Sequence, residues 1–394
     1  MLSGVRDGRV GVYLHVPFCE RICPYCDFPV VAARTLAPAL EKRTVRALRA
    51  ELAARRAAFP GLTLASVYLG GGTPSRLQPG SVAELVEAAR EAFPADGPVE
   101  VTLEANPSTT ERGRLAAFRE AGANRISVGV QSFDDLALRR LGRAHRAGEA
   151  RATLAAARRA GFESLSLDLI FGIPGQDRAA LRRDVDEALA FAPDHVSAYA
   201  LTVEEGTPYA RAVARGQLVP PDADACAELM EEVRERLAAG GLPAYEISSY
   251  ARPGREAVHN RRYWARLPVL GVGMGAWSLD PPGEGAPYGV RRGNERSLDA
   301  WLARVERAPA SPPEVEIPDA ATARGEAAFL GLRTAAGLDA AVFREVFGAA
   351  PRAFFAEAID ALCAAGLLAE DAAGDLRLTS RGVLLADTVA ARFV

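Results

Sequence analysis

Three cysteines within eight residues form the group in this sequence best suited to chemistry: Cys19, Cys23 and Cys26, spaced Cys-x3-Cys-x2-Cys. Thiolates are soft ligands that suit iron–sulfur clusters. Three thiolates on the four irons of a [4Fe–4S] cluster leave one iron without a protein ligand, and such an open position indicates chemistry or ligand binding. The other cysteines, Cys226 and Cys363, lie in helical, apolar surroundings and are expected to be small buried hydrophobic residues.

A zinc site is the alternative for these thiols, with His15 or Asp27 as the fourth ligand. Zinc knuckles usually carry their cysteines in Cys-x2-Cys pairs, so the spacing observed here favours the iron–sulfur cluster. An odd total of five cysteines, three of them grouped, also suits a metal in a reducing cytosol better than a disulfide framework.

The elements that must position these thiols alternate over roughly the first 200 residues. Candidate strands cover 11–16, 65–69, 100–104, 125–130, 164–170 and 195–201, and helical patterns lie between them at 40–59, 81–93, 110–121, 148–160 and 178–191. Six β-α repeats with near-continuous apolar strands predict a parallel sheet with helices on its outside. Six repeats are fewer than the eight of a closed barrel, so we expect an α/β fold with an open, partial (β/α)6 barrel.

Glycines and polar residues mark the ends of several predicted strands. Gly70-Gly71-Gly72-Thr73-Pro74 ends the second strand, Glu104 the third and Gln131-Ser132 the fourth; Asp168 lies in the fifth, and Arg143 follows Gln131 by one helix. The C-terminal strand ends of β/α barrels form their active sites, and glycine lets the backbone approach a ligand closely. For each position, a tight turn or a satisfied structural polar group is the alternative.

The pattern changes after residue 201. A helix is predicted over 222–239, a strand over 245–249, a glycine-rich stretch over 270–275 and a proline-rich linker over 308–318. Three helical patterns, a short strand at 375–378 and a helix at 379–389 then resemble a smaller, mainly helical winged-helix-like domain. We therefore expect domains at 1–205 (barrel), 206–310 (extension) and 311–394 (winged-helix-like).

The composition excludes several classes of protein. The net charge of −3 gives no indication of nucleic-acid binding. No run of 18 apolar residues occurs, and the N-terminus has no secretory signal, so we expect a cytoplasmic protein without a transmembrane helix.

Cys19–Cys26 at the mouth of a β/α barrel resembles the cluster motif of the radical SAM superfamily. The resemblance implies a [4Fe–4S] cluster held by the three cysteines, with S-adenosylmethionine (SAM) on the open iron. It also implies that Tyr25 lies over the adenine of SAM, and that Gly70–Thr73 corresponds to the motif that holds the SAM amino group.

A narrower resemblance, over roughly the whole chain, is to the oxygen-independent coproporphyrinogen dehydrogenase group, which includes the HemW-type heme chaperones. Four segments carry it: Tyr13-Leu-His-Val-Pro-Phe-Cys19, Gly70–Pro74, Glu104-Ala-Asn-Pro107 and Gly129-Val-Gln-Ser-Phe133. The resemblance implies SAM contacts by Tyr13, Gly71, Gly72, Thr73, Glu104, Gln131, Arg143 and Asp168. His15 either hydrogen-bonds the cluster or SAM, or braces the first strand.

Within this group, three features favour the chaperones. The dehydrogenases carry a further cysteine where this chain has Phe28, and they have a long extension before the first strand, whereas Tyr13 lies near the start. His259-Asn-Arg-Arg-Tyr263 matches the His-Asn-x-x-Tyr motif of the chaperones, which implies heme binding. Histidine is a common axial heme ligand, tyrosine is another, and Trp264 could stack on a porphyrin. A core histidine is the alternative for His259.

Three functions remain open from the sequence. The favoured one is a heme chaperone that binds a [4Fe–4S] cluster, SAM and heme, and transfers heme to apoproteins such as respiratory cytochromes, with peripheral contact to the inner membrane as an option. The second is radical-SAM oxidative decarboxylation of coproporphyrinogen III, and the third is radical-SAM chemistry on an unrelated small substrate. The sequence assigns no catalytic residue, client protein or oligomeric state.

Overall fold

The computed structural model of the protein describes residues 7–394, in which an eleven-stranded sheet carries helices and leads into a C-terminal helical unit. The strands of the described residues are β1 (Arg9–Val16), β2 (Phe18–Cys19), β3 (Val31–Ala32), β4 (Thr63–Gly71), β5 (Glu100–Ala105), β6 (Arg125–Gln131), β7 (Ser164–Phe171), β8 (His195–Ala200), β9 (Ser249–Ala251), β10 (Val269–Val272), β11 (Trp277–Asp280), β12 (Val290–Gly293), β13 (Glu314–Glu316), β14 (Leu368–Glu370) and β15 (Leu376–Leu378).

The helices lie between and after these strands. They are α1 (Pro38–Arg55), α2 (Pro79–Ala92), α3 (Thr109–Arg112), α4 (Leu115–Glu120), α5 (Asp135–Arg140), α6 (Ala147–Arg159), α7 (Arg178–Ala190), α8 (Pro208–Ala214), α9 (Ala223–Ala239), α10 (Val258–Trp264), α11 (Leu298–Val305), α12 (Ala320–Leu332), α13 (Ala340–Phe347), α14 (Arg352–Ala364), α15 (Ser380–Leu384) and α16 (Ala386–Ala390).

Six parallel strands form the centre of the large sheet in the order β1-β4-β5-β6-β7-β8, and at least one helix follows each strand along the chain. Within the described residues β8 does not pair with β1, so the six β/α units form an open sheet. The predicted fold class, a partial barrel of six units, is confirmed, and each predicted barrel strand lies within two residues of its observed bounds.

Side chains alternate between the two faces of these central strands, as the twofold period of a strand requires. On β1, Val12 and Leu14 have no exposed surface and join the apolar core with α1, whereas Tyr13 and His15 point to the opposite face. The same alternation places Glu104 on the face of Tyr13. The expectation of near-continuous apolar strands is therefore wrong, because one face of the sheet is a polar barrel interior.

The glycine-rich stretch 270–275 overlaps strand β10, which pairs in parallel with β1. A Cβ atom at Gly271 would overlap the Trp277 backbone, and one at Gly273 would lie 2.6 Å from the carbonyl oxygen of His15. Gly271 therefore allows β11 to pack closely against β10, and Gly273 allows the chain after β10 to pack closely against β1.

Two predicted elements beyond residue 201 are wrong. Of the predicted strand 245–249, residues 245–248 form bends and one isolated bridge, and β9 begins only at Ser249. The predicted linker 308–318 contains β13, which pairs with β12 at the sheet edge. The sheet thus extends well past the six β/α units.

The C-terminal unit has its own apolar core, which includes Phe343, Ile359, Leu376 and Val389. Helices α12–α14 precede the antiparallel hairpin β14–β15, in agreement with the predicted winged-helix-like order. Two details differ: β14 was not predicted, and the predicted helix 379–389 is divided into α15 and α16.

Candidate functional site

The three cysteines lie in the loop that begins where β1 ends. Cys19 ends β2, Cys23 and Cys26 follow in the loop, and the N–H of Cys26 donates to the carbonyl of Cys23 at 3.0 Å. The pairing of β2 with β3 closes the loop, because the N–H of Ala33 donates to the carbonyl of Cys19 at 2.8 Å. This short sheet fixes the loop beside the C-terminal ends of the barrel strands.

Polar side chains from the barrel strands and their loops contact two of the thiols. The hydroxyl of Thr73 lies 3.7 Å from Cys19 Sγ, and Arg143 Nη1 lies 3.7 Å from Cys23 Sγ. Asn106 joins these two partners, since its Nδ2 donates to Thr73 Oγ1 at 2.8 Å and its Oδ1 accepts from Arg143 Nη2 at 2.5 Å. Asn106 was not among the predicted site residues, although it lies in Glu104–Pro107, one of the segments that carry the family resemblance.

The thiols are electrostatically coupled to one another. Burial, which is the largest influence, and the neighbouring thiols of Cys26 and Cys23 together raise the pKa of Cys19 to about 11, although Thr73 and Arg143 act in the opposite direction. Burial and Cys23 also raise the pKa of Cys26. Partly buried thiols that hold their protons in this way become thiolates when they bind a metal. Three sulfur donors grouped in one loop fit an iron–sulfur cluster, because thiolate sulfur is the ligand that such clusters prefer.

The zinc alternative finds no fourth ligand in this arrangement. Both ring nitrogens of His15 have hydrogen-bond partners, and Asp27 lies beside Arg296. Over residues 7–394, no three cysteine, histidine or acidic side chains converge as the ligands of a single metal ion would.

His15 holds the loop that carries the three cysteines, called the cluster loop below, in place through a hydrogen bond. Its Nε2 lies 2.8 Å from the carbonyl oxygen of Pro29, which can only accept, so Nε2 donates and Nδ1 accepts the hydroxyl of Tyr13 at 3.0 Å. Burial lowers the pKa of His15 to about 4, so the ring is neutral at pH 7. Of the two roles considered for His15, the bracing role is the one that this geometry supports.

The glycines at the end of β4 allow the strand end and the following loop to pack closely. The N–H groups of Gly71, Gly72 and Thr73 donate to Glu104, Val16 and Phe18, respectively. A Cβ atom at Gly71, whose φ is +106°, would lie 2.5 Å from the His15 ring. These N–H groups are therefore already paired, and contact with SAM through the carbonyl groups stays a prediction.

Glu104 lies in the barrel interior beside two donors. The hydroxyl of Tyr68 donates to Oε1 at 2.7 Å, and the N–H of Gly71 donates to Oε2 at 3.1 Å. Burial is the largest influence on this carboxyl and, with Asp168 nearby, raises its pKa to about 7 despite the two donors. A carboxyl group in this state is suited to receive a cation such as an ammonium group.

Asp168 and Gln131 lie on adjacent strands of the same interior. Asp168 accepts a hydrogen bond from the Ser127 hydroxyl at 3.1 Å, and burial raises its pKa to about 6. Gln131 ends β6 with φ at +67°, a left-handed conformation that is uncommon for a residue with a side chain and is found at functional sites. The neighbouring Ser132 instead bonds Asp184 and is structural.

Tyr25 packs beside an apolar patch at the barrel mouth that contains Leu141, Ile170 and Ile173. Its ring lies edge-on to that of Tyr209, with 6.4 Å between the ring centroids. This surface adjoins the cluster loop, as expected for a residue that meets an adenine, but the contact itself stays a prediction.

His259 and Tyr263 share one face of α10, as predicted for positions four apart, and their side chains hydrogen-bond at 3.0 Å through His259 Nε2. The other ring nitrogen, Nδ1, lies 2.9 Å from the hydroxyl of Ser66. The residue is 1% exposed, and burial lowers its pKa to about 3. In this conformation neither nitrogen is open to a heme iron.

The two remaining histidines, for which the sequence indicated no partner, are also paired in the core. Nε2 of His145 donates to the carbonyl of Val130 at 3.0 Å. His195 lies between the hydroxyl groups of Ser166 and Tyr245, each at 2.9 Å.

Comparison with known proteins gives two family matches. Residues 13–188 match the Radical SAM superfamily, and residues 319–385 match the HemN C-terminal domain. Among curated relatives, heme chaperone HemW of Mycobacterium tuberculosis is 40% identical over 96% of this chain and 93% of its own length. Heme chaperone HemW of Bacillus subtilis is 32% identical over 97% of this chain and 98% of its own length.

Among solved structures, coproporphyrinogen III oxidase (HemN) of Escherichia coli, described as a radical SAM enzyme, superposes with a TM-score of 0.82. The match covers 100% of this chain and 92% of that chain at 23% identity, so it shows a shared fold. Through residues 7–394, we find no helix with the length and apolar character needed to cross a bilayer.

Proposed function

This chain belongs to the HemW family within the radical SAM superfamily, and on that premise we propose that it is a heme chaperone. In this proposal the protein binds a [4Fe–4S] cluster and SAM, takes up heme and passes it to apoproteins such as respiratory cytochromes. It would act in the cytoplasm, with peripheral contact to the inner membrane where such clients assemble.

The grouping of Cys19, Cys23 and Cys26 in one braced loop carries the radical-SAM part of the proposal, and the similarity to the HemW chaperones over almost the whole chain carries the chaperone part. Their three thiolates would hold three irons of the cluster, and Arg143 would place a positive charge beside Cys23. When bound, such a cluster supplies one electron to SAM at its open iron. The buried cation stabilises the anionic set of thiolates, because unlike charges attract strongly where water is excluded.

Residues of the barrel interior would orient SAM on that iron. Glu104 would accept the ammonium group, and its raised pKa would fall as the cation arrives. Tyr25 would lie against the adenine at the apolar patch, while Gln131 and Asp168 would meet polar groups of SAM. Tyr13 would contact SAM as the family resemblance implies, and its hydroxyl also supports His15 and hence the cluster loop.

The heme ligand is the least direct part of the proposal. The family motif nominates His259 with Tyr263, but the two residues are bonded to each other inside the barrel. Ligation through Nε2 would require this hydrogen bond to break and α10 to move away from the barrel.

Phe28 favours the chaperone over coproporphyrinogen decarboxylation. It occupies the position where the dehydrogenases carry a further cysteine, and its side chain is 67% exposed at the surface. A phenyl ring cannot replace the thiol there.

Anaerobic reconstitution followed by a heme titration tests this function. We expect absorbance to show heme uptake at about one equivalent per chain, and the loaded protein to transfer heme to an apocytochrome. Protein with a full cluster that takes up no heme, or that converts coproporphyrinogen III to protoporphyrinogen with repeated turnover, would contradict the proposal.

A further inference from the structure

The His259–Tyr263 pair lies inside the barrel, next to residues of the proposed SAM site. The His259 ring packs against the ring of Tyr68, with 5.1 Å between centroids and 32° between planes. Tyr68 in turn donates its hydroxyl to Glu104 at 2.7 Å. One aromatic ring therefore separates the motif histidine from the carboxyl group expected to receive the SAM amino group.

Helix α10 is also fixed to the strand that carries Glu104. The N–H groups of Val258 and His259 donate to the carboxylate of Glu100, at 3.1 and 3.0 Å. Glu100 begins β5 and Glu104 lies at its other end. The helix thus closes the bottom of the barrel at one end of β5, while the SAM site forms at the other.

The orientation of the His259 ring is fully determined by its neighbours. Ser66 holds Nδ1 and Tyr263 holds Nε2, so the ring cannot rotate without breaking a buried hydrogen bond. Tyr13 packs near both rings, with its ring centroid 6.1 Å from that of Tyr68 and 6.3 Å from that of His259. The Tyr68 hydroxyl is therefore held at one place beside Glu104.

We propose that His259 and Tyr263 are positioning residues for SAM: they fix Tyr68 and, through it, the Glu104 carboxyl group that receives the SAM ammonium. The motif then has a role within the barrel even when no heme is bound. The inference rests on the proposed function only in that SAM occupies the barrel mouth.

The chain contains a matched control for this arrangement. Ser166, His195 and Tyr245 form a second buried serine–histidine–tyrosine set, with both hydrogen bonds at 2.9 Å. Tyr263→Phe and Tyr245→Phe each remove one phenolic hydroxyl from a buried histidine Nε2. The two changes should lower stability by similar amounts, but only Tyr263 belongs to the group that supports Glu104.

The test is SAM affinity of anaerobically reconstituted full-length protein, measured by equilibrium dialysis and by the change that SAM causes in the electron paramagnetic resonance of the reduced cluster. We expect Tyr263→Phe to raise the Kd for SAM about fivefold, and Ser66→Ala to act in the same direction. Tyr245→Phe should leave both readouts as in wild type. Iron content should be equal in all four proteins.

The outcomes separate this inference from the function on which it rests. Equal SAM affinity in Tyr263→Phe and Tyr245→Phe would overturn the positioning role. Wild-type protein that carries a full cluster but binds no SAM would instead contradict the proposed function. Loss of heme uptake in Tyr263→Phe with unchanged SAM affinity would assign the motif to heme alone and would also overturn the inference.

Discussion

The imidazole of His15 donates a hydrogen bond across 2.8 Å to the carbonyl oxygen of Pro29, and so ties the end of β1 to the loop that carries the three cysteines. Because that carbonyl can only accept, it fixes the tautomer, and the hydroxyl of Tyr13 donates to the other ring nitrogen, Nδ1. The loop therefore depends on a buried side chain for its position as well as on the pairing of β2 with β3.

Replacing His15 with alanine should loosen the cluster loop. With the hydrogen bond to Pro29 lost, we expect a chelator to remove iron from the reconstituted protein about five times faster than from wild type. The loss can be followed by absorbance under anaerobic conditions. In His15→Gln the side-chain amide can donate to the same carbonyl, so this variant should lose iron more slowly than His15→Ala. An alanine variant that loses iron no faster than wild type would contradict the bracing role.

Arg143 should tune the reduction potential of the cluster. Its positive charge beside Cys23 favours the reduced, more negative state, so Arg143→Met should lower the potential by roughly 60 to 120 mV. Arg140→Met is the matched control, because this neighbouring arginine donates to the carbonyl of Pro174 and not to a thiol. A redox titration in which both variants shift equally would show that Arg143 has no special effect.

The carboxyl group of Glu104 should make the apoprotein less stable as the pH rises. Its pKa in the folded state is about 7, above its ordinary value of 4.5, so its contribution to stability is complete below pH 4.5 and is lost as the pH rises through 7. As the pH rises from 4.5 to 8, the free energy of unfolding of Glu104→Gln should therefore increase by about 2 to 3 kcal/mol relative to that of wild type. Denaturant unfolding at several pH values measures this, and parallel curves for the two proteins would contradict the raised pKa.

Gly273→Ala should destabilise the fold at the junction of β10 with β1. The new Cβ would press on the backbone and Cβ of His15, and φ at this position is +106°. We expect a loss of about 2 to 3 kcal/mol in the free energy of unfolding. Gly148→Ala in α6 meets no atom within 4 Å and should be neutral or slightly stabilising, so equal thermal shifts in the two variants would contradict this account.

Local patterns were sufficient to predict the barrel, because each β/α unit carries its own periodicity. The strands were interpreted as near-continuous apolar runs, so the polar interior that Tyr13 and His15 form on the face opposite Val12 and Leu14 was not predicted. The outer strands were missed for a physical reason: the backbone at Gly271 lies against that of Trp277 on the next strand, and Gly273 lies against His15, more than 250 residues earlier in the chain, and no local period records either contact.

The cysteine motif predicted the cluster loop, but the contacts around it depend on tertiary structure. Asn106 connects Thr73 with Arg143 across two strand ends, and sequence spacing does not show that connection. The sequence correctly predicted that His259 and Tyr263 lie together, because positions four apart share a helix face. Its enclosure by Ser66 and Tyr68 depends on residues almost 200 positions away, which local reasoning could not supply.

Counting iron and sulfide after anaerobic reconstitution tests the three-thiolate cluster most directly. The account predicts about four irons and four sulfides per wild-type chain, almost none when Cys19, Cys23 and Cys26 are all changed to serine, and an undiminished count when Cys226 and Cys363 are changed instead. A folded triple variant that still takes up four irons and four sulfides, or a folded wild-type protein that takes up none, would contradict it.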